Sequence, residues 1–375
     1  MRLLLDVSAV PDHPVGAGVY TVSLAGGLAA RSELELHLLA RRHDDRRWVA
    51  HAPGASVHAD APEPRPARLA WEQVCAPRVA RRVAPDVWHG PHYTMPLRLT
   101  TPAVVTVHDL TFFDHPEWHE WGKVRFFRRM LRASARRARV LVAVSHHTAE
   151  RLRAVLDPQA AITVVPHGVD HARFRAALLG DAGDLDRLRA FGVRPPYIAF
   201  AGTLEPRKDV PSLVRAFASV AAGRPGLRLV LAGGDGWGAP AVRAAIERSG
   251  VASRILRAGY LPTDAVAALF RQAAVVAYPS LVEGFGLPAL EALACGAPLV
   301  TTTGSAMEET VGSAALLVKP RDTDGLANAL ERLLTDDQLA DRLRRAGPHR
   351  ASTFTWEASV AGHLDAYRLA TGVHA

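Results

Sequence analysis

Short runs rich in Val, Leu, Ile and Ala alternate with longer amphipathic stretches from one end of this chain to the other, and no other feature constrains its fold as much. A short run that is apolar at every position, rather than at every second one, fits a strand buried on both faces. The amphipathic stretches supply helices to cover those faces. The predicted class is α/β with parallel sheets. Strands are expected at Leu3–Val7, Leu34–Leu39, Asp86–His89, Ala103–Val107, Val140–Val144 and Ile162–Val165 in the first half. They recur at Tyr197–Ala201, Leu227–Ala232, Arg254–Ala258, Val275–Tyr278, Leu299–Thr302 and Ala315–Val318 in the second. The two series are alike, so two similar sheets in tandem are expected, facing a cleft, and a length of 375 residues favours the same division. The connection is placed in His171–Pro196, which has few β-branched residues, an Asp/Gly cluster at Gly180–Asp186 and Pro195-Pro196 at its end. The Pro- and Ala-rich segment Ala50–Arg68 reads as a surface loop.

Composition excludes whole classes. With 49% hydrophobic and 22% charged residues the chain is not disordered. No apolar run approaches the roughly 18 residues that cross a bilayer, and Asp6 interrupts the N-terminal run before it becomes a signal-peptide core. The expected location is the cytoplasm. Cys75 and Cys295 have no paired spacing, so neither a disulfide framework nor a zinc ribbon is suggested. Lys and Arg outnumber Asp and Glu by 45 to 37, and the net charge of +8 points to an anionic partner: a phosphorylated substrate, acidic lipid or nucleic acid.

Parallel sheets bind ligands beyond the carboxyl ends of their strands, and the unusual residues fall there. Tyr197–Ala201 runs into Gly202-Thr203-Leu204-Glu205-Pro206-Arg207-Lys208-Asp209, with Asp209 as candidate N-cap of the next helix. Gly202 removes a Cβ that would block a ligand, and Arg207 and Lys208 can neutralise a diphosphate. Val275–Tyr278 is followed by Glu283-Gly284-Phe285-Gly286-Leu287-Pro288-Ala289-Leu290-Glu291. Pro288 suits a first helical position, so free amides and a positive dipole end would face the loop. A carboxylate accepts two hydrogen bonds from a diol, so of Glu283 and Glu291 one can hold a ribose and the other a hexose. Gly16-Ala17-Gly18-Val19-Tyr20 lies before a helical stretch, where it can contact a phosphate or simply make a tight turn. It lacks the third glycine of a dinucleotide fingerprint. His108 follows Ala103–Val107 and can donate to a reacting hydroxyl or serve the core.

No metal is assigned: Pro116 spoils the His115-x-x-x-His119 spacing, and Asp184-Leu185-Asp186 and Asp322-Thr323-Asp324 read as helix caps. Between Trp118 and Arg139 a basic amphipathic helix is expected, able to lie on an anionic membrane or to pack with a solvated basic face. It matches no nucleic-acid module, so no nucleic-acid partner is expected.

Taken together, Gly202–Asp209 and the Glu-x7-Glu pair Glu283/Glu291, supported by His108-Asp109-Leu110, Val165–Asp170, Gly259–Pro262 and Glu309–Gly312, resemble the retaining GT-B glycosyltransferases of family four, bacterial mannosyltransferases among them. The resemblance implies two Rossmann-like domains: residues 1–175 for the acceptor, with 355–375 crossing back onto them, and 190–354 for the nucleotide-sugar donor. It implies Arg207 and Lys208 on the diphosphate, Glu291 on the ribose, Glu283 on the transferred sugar and His108 beside it. Phe285, Gly286 and Leu287 would line the donor with Gly18, Gly202, Thr203 and Gly284, and Tyr260 would lie near the base. Three positions depart from the family's pattern: Asp209 and His167 where Asn is usual, and Thr203 where many relatives carry Arg.

The activity implied is transfer of a hexose, favoured as mannose from GDP-mannose, to a hydroxyl of a glycan, a lipid-linked or a small-molecule acceptor, with retention, without metal or cofactor, and with peripheral contact at the inner membrane face. UDP- and dTDP-sugars stay open as donors. A nucleotide-sugar epimerase or phosphorylase on the same scaffold, a non-catalytic anion-binding protein and, less well supported, an NAD-dependent oxidoreductase are the alternatives.

Overall fold

A computed structural model describes residues 1–177 and 183–372. The chain forms two compact units: Met1–Gly168 together with the segment from Trp356 onward, and Val169–Thr355. Part of the Gly180–Asp186 cluster lies outside the described residues.

The first unit is built on seven strands: β1 Arg2–Asp6, β2 Glu35–Arg41, β3 Ser56–Ala61, β4 Val87–Gly90, β5 Ala103–Val107, β6 Val140–Ala143 and β7 Ala161–Val164. All pairs are parallel, in the order β3-β2-β1-β4-β5-β6-β7. Every residue of β4, β5 and β6 is buried. Strand alternation therefore splits the core into two layers. Leu4, Trp88, Val105 and Leu141 pack on one side with Phe127 and Leu131, while Leu3, Leu5, Val104 and Val142 pack on the other with Tyr20, Trp48 and Tyr367. The segment Ala50–Arg68 is not a plain loop. It holds β3 and the start of the helix Arg65–Val74. β3 is an edge strand in which His58, Asp60 and two alanines dilute any apolar signal, and pairing with β2 gives it order.

The second unit has six parallel strands: β8 Tyr197–Ala201, β9 Arg228–Ala232, β10 Ile255–Gly259, β11 Val275–Tyr278, β12 Leu299–Thr302 and β13 Leu316–Val318. Their order is β10-β9-β8-β11-β12-β13. In each unit the order of connection reverses once, at β1/β4 and at β8/β11. Such switch points open a crevice beyond the carboxyl ends of the two strands. The α/β class with two Rossmann-like sheets agrees with the sequence reading.

Candidate active site

At the switch point of the second unit, β8 and β11 lie side by side and deliver their loops to one place. The Leu281 amide donates to the Arg207 carbonyl at 2.7 Å, joining the loop after β11 to the turn after β8. Arg207 donates to Glu283 Oε2 at 2.5 Å and to Glu205 at 2.8 Å, and Lys208 Nζ donates to Glu283 Oε1 at 2.5 Å. Lys208 also bonds the Tyr278 hydroxyl and sits 4.7 Å from the centre of its ring. Lys208, Tyr278 and Glu283 are all buried. Burial alone would raise the Glu283 carboxyl, but Arg207 and then Lys208 outweigh it and hold the group at about 2. Burial and the neighbouring Arg207 draw Lys208 downward, opposed by Glu283. Burial, then Glu283, drives Tyr278 well up. Both cations thus face a carboxylate of their own chain, an arrangement the spacing did not reveal.

The helix Leu287–Ala294 opens on Gly286 at φ 92°, with Pro288 in its first turn and no side-chain cap. A side chain at Gly286 would meet Met307 Sδ at 2.3 Å, so glycine is required for space as well as for the left-handed backbone. Among the described residues the Gly286 and Leu287 amides have no hydrogen-bond acceptor. Phe285 serves packing: its ring meets Phe354 at 5.7 Å and its carbonyl accepts from Thr310 at 2.5 Å. Glu291 is half-buried, and its carboxyl makes no hydrogen bond among the described residues. Burial, then the nearby Asp170, pushes it up to about 8.

Composition offered no hint of what supports the cationic turn. Gly233 lies at φ 131° where a Cβ would meet the Gly202 carbonyl at 2.1 Å. Leu204 exchanges backbone bonds with Gly234 and Gly238 at 3.0 and 2.8 Å. The run Gly233-Gly234-Asp235-Gly236-Trp237-Gly238, passed over in the sequence, is the floor beneath Gly202–Pro206. Asp209 does stand at the start of Val210–Ala221, but at φ 46° and without capping it through its side chain. Tyr260, after β10, is 48% exposed.

In the first unit His108 is not free to donate through Nε2, which bonds the Pro91 carbonyl at 2.8 Å. A carbonyl only accepts, so Nε2 carries the proton and Nδ1 presents a lone pair while the ring is neutral. Burial lowers the ring's pKa and keeps it so. At Gly18 a Cβ would press on Pro14 at 3.1 Å. The sequence reading missed two acids at the β1/β4 switch point. Asp6 ends β1, and Glu72, the only buried residue of Arg65–Val74, accepts from Thr94 at 3.1 Å. Burial, then Asp6, raises Glu72 to about 8. Asp6 was marked by its place at a strand end, whereas the burial of Glu72 in a half-exposed helix is set by packing and left no signal in the sequence. Among the described residues no group of His, Cys, Asp or Glu side chains is arranged to hold a metal. Asp322 caps its helix through the Gly325 amide, whereas Asp184 pairs with Arg271 instead of capping.

Residues 14–173 match the family described as Glycosyltransferase Family 4, and residues 187–350 match Glycosyl transferases group 1. O-antigen chain mannosyltransferase B of Escherichia coli is 30% identical over 76% of this chain and 74% of its own. D-inositol 3-phosphate glycosyltransferase of Acidothermus cellulolyticus is 31% identical over 94% of this chain and 85% of its own. Others of that name, at 34–35% identity, match over 48% of their length. In fold, the sucrose-phosphate synthase of Thermosynechococcus elongatus superposes over 100% of both chains with a TM-score of 0.84 at 21% identity. Two parallel sheets with paired switch points, a cationic turn facing Glu283 and matches that extend through both units lead to one conclusion: the chain belongs to the GT-B glycosyltransferases of family 4.

Proposed function

We propose that this glycosyltransferase moves mannose from GDP-mannose to a hydroxyl of a glycan or lipid-linked acceptor, with retention at the anomeric carbon and without a metal. The observation that carries the reading is the Arg207–Glu283–Lys208 cluster at the ends of β8 and β11. In the free enzyme Glu283 keeps both cations charged and oriented. A donor diphosphate exchanges with it, taking Arg207 and Lys208 and releasing the Glu283 carboxylate to accept from hydroxyls of the sugar. As the glycosidic bond to phosphate breaks, negative charge grows on the leaving group, and cations fixed beforehand stabilise that charge more than the ground state. The uncapped amides of Gly286 and Leu287 add to the same field.

Glu291, held protonated near neutral pH by burial and then by Asp170, both donates to and accepts from a ribose hydroxyl. The acceptor hydroxyl attacks from the face the diphosphate leaves and passes its proton to that phosphate, so Glu283 positions and does not attack. Mannose is favoured by the likeness to the Escherichia coli mannosyltransferase. In the first unit Asp6 and Glu72, at the β1/β4 switch point, are the groups proposed to receive acceptor hydroxyls.

A thermal-shift panel of GDP, UDP, dTDP and ADP tests the base. A ligand at 100 times its Kd stabilises by about 2.7 kcal/mol, and GDP is expected to give the largest shift. Product formation from GDP-mannose with EDTA present tests metal independence. A strict Mg²⁺ requirement sinks that part of the proposal, and turnover of donor alone favours an epimerase or phosphorylase.

A further inference from the structure

Arg207 is held by two carboxylates through different nitrogens. Its Nη1 donates to Glu283 Oε2 at 2.5 Å, whereas its Nε donates to Glu205 Oε2 at 2.8 Å. The first contact reaches across to the loop after β11, and the second stays within the turn after β8. Glu205 is firmly placed for this. Its amide donates to the Thr203 carbonyl at 2.8 Å, and its carbonyl accepts from the Lys208 amide at 3.0 Å. Gly238 packs against it so closely that a Cβ there would meet the Glu205 carbonyl carbon at 2.8 Å. Between the two residues stands Pro206, which opens the short turn Pro206–Lys208 and stiffens the link.

A pair that is partly exposed on both sides, 40% at Glu205 and 21% at Arg207, adds little to stability. What it fixes is direction. A donor diphosphate that displaces Glu283 takes Nη1 and leaves Nε on Glu205, so the guanidinium need not be aimed anew. An arginine left to turn freely would surrender that freedom on binding, at a cost of roughly fivefold in affinity. We propose that Glu205 is a positioning residue for the donor diphosphate, acting through Arg207, whose guanidinium it orders before the ligand arrives. The inference rests on the donor reading given above. The charge of Glu205 works in the opposite sense, since a carboxylate near a diphosphate repels it. Alignment and repulsion therefore predict opposite results when the side chain is changed.

Titration calorimetry of the full chain with GDP, UDP, dTDP and ADP identifies the diphosphate that binds most tightly, and Arg207→Ala should weaken it. Glu205→Ala should weaken the same diphosphate roughly fivefold. Glu205→Gln keeps an acceptor for Nε but drops the charge, and it should bind at least as tightly as the wild type. Added to Arg207→Ala, Glu205→Ala should cause no further loss, because its partner is already gone. Glu331→Ala takes a similarly exposed carboxylate from Arg224 in the same unit and should leave binding unaltered. Thermal unfolding confirms that each variant is folded. Wild-type or tighter binding by Glu205→Ala, a glutamine variant as weak as the alanine one, an equal further loss in the Arg207→Ala background, or an equal loss in the Glu331 control would each overturn the proposal and leave the donor reading standing. Failure of all four diphosphates to bind the wild type, or binding that Arg207→Ala leaves unchanged, would overturn the donor reading and this inference with it.

Discussion

Glu283 faces two cations with one carboxylate, and its replacement or theirs has effects of two kinds. Lys208→Ala should lower turnover on the order of 10²-fold, the usual loss for one electrostatic donor. It should also destabilise the fold, because Glu283 is left buried with one partner fewer. A transfer assay beside a denaturation curve separates the two, and near-normal turnover would remove Lys208 from the mechanism. The pH dependence follows from the same contact. Burial opposes ionisation of Glu283, but Arg207 and Lys208 bring it from 4.5 to about 2. Between those values the unfolded chain binds more protons, so the stabilisation is complete above pH 4.5 and disappears as pH falls toward 2. Its size is on the order of 3 kcal/mol, and Glu283→Gln should remove that part of the acid slope in unfolding measured across the window. These residues were legible as candidates because charged side chains at strand ends are unusual. That they bind one another was not legible, since it depends on β8 and β11 being neighbours across 75 residues of chain.

At the scale of elements, side chains far apart in sequence fix how helices sit on their sheets. Asp184 and Arg271, both buried, form a two-pronged pair at 2.6 and 2.8 Å that holds Gly183–Arg189 against Thr263–Gln272. Asp184→Ala takes the carboxylate from a guanidinium that keeps its bond to the Arg173 carbonyl and should cost about 3 kcal/mol, the low end for a broken buried pair. Replacing both partners by Leu and Met should recover most of it, as read in urea. In the first unit the helix Trp356–Thr371 is held by a chain of hydrogen bonds whose direction is fixed from one end. The Ser359 carbonyl accepts from His363 Nδ1 at 2.7 Å, so Nε2 of the neutral ring accepts from Tyr20. Tyr20 then accepts from Thr106, Thr106 from His89 Nε2, and His89 Nδ1 from Tyr367. Burial lowers His363 from 6.5 to about 4. Protonation there breaks the chain: stability is complete above pH 6.5 and falls as pH drops toward 4, by on the order of 3 kcal/mol. His363→Gln should flatten that slope in thermal melts. His89, buried at the end of β4, is a strut in that chain of hydrogen bonds.

For the molecule as a whole, the two units differ in how the chain supplies them. The second is continuous, while the first needs its last helix from beyond Thr355. Ending the chain at Thr355 would bare the apolar surface that Val360, Leu364 and Tyr367 cover and would strip Tyr20 and His89 of partners. The expected outcome is loss of the first unit's cooperative transition in calorimetry, with the second unit's retained. Retention of both would show that the closing helix is dispensable.

The alternation of apolar and amphipathic segments determined the α/β class and twelve of the thirteen strands among the described residues: the central strands are apolar because both their faces are buried, and the edge strands β7, β10 and β13 still carry Ile, Leu or Val. The edge strand Ser56–Ala61 escaped, since Val57 is its one large apolar residue and its order comes from pairing with β2 rather than from its composition. The chemistry divides in the same way. Residue type and strand position brought out Arg207, Lys208, Glu283 and Glu291. Only the folded chain decided that Glu283 binds both cations, that Glu291 stands near Asp170, that Glu72 is buried beside Asp6 and that Arg128 is structural while Arg129 is exposed. Charge and hydrogen bonding act through distances of a few ångströms, and those distances are set by the order of strands in a sheet, which is not written at any single position in the sequence.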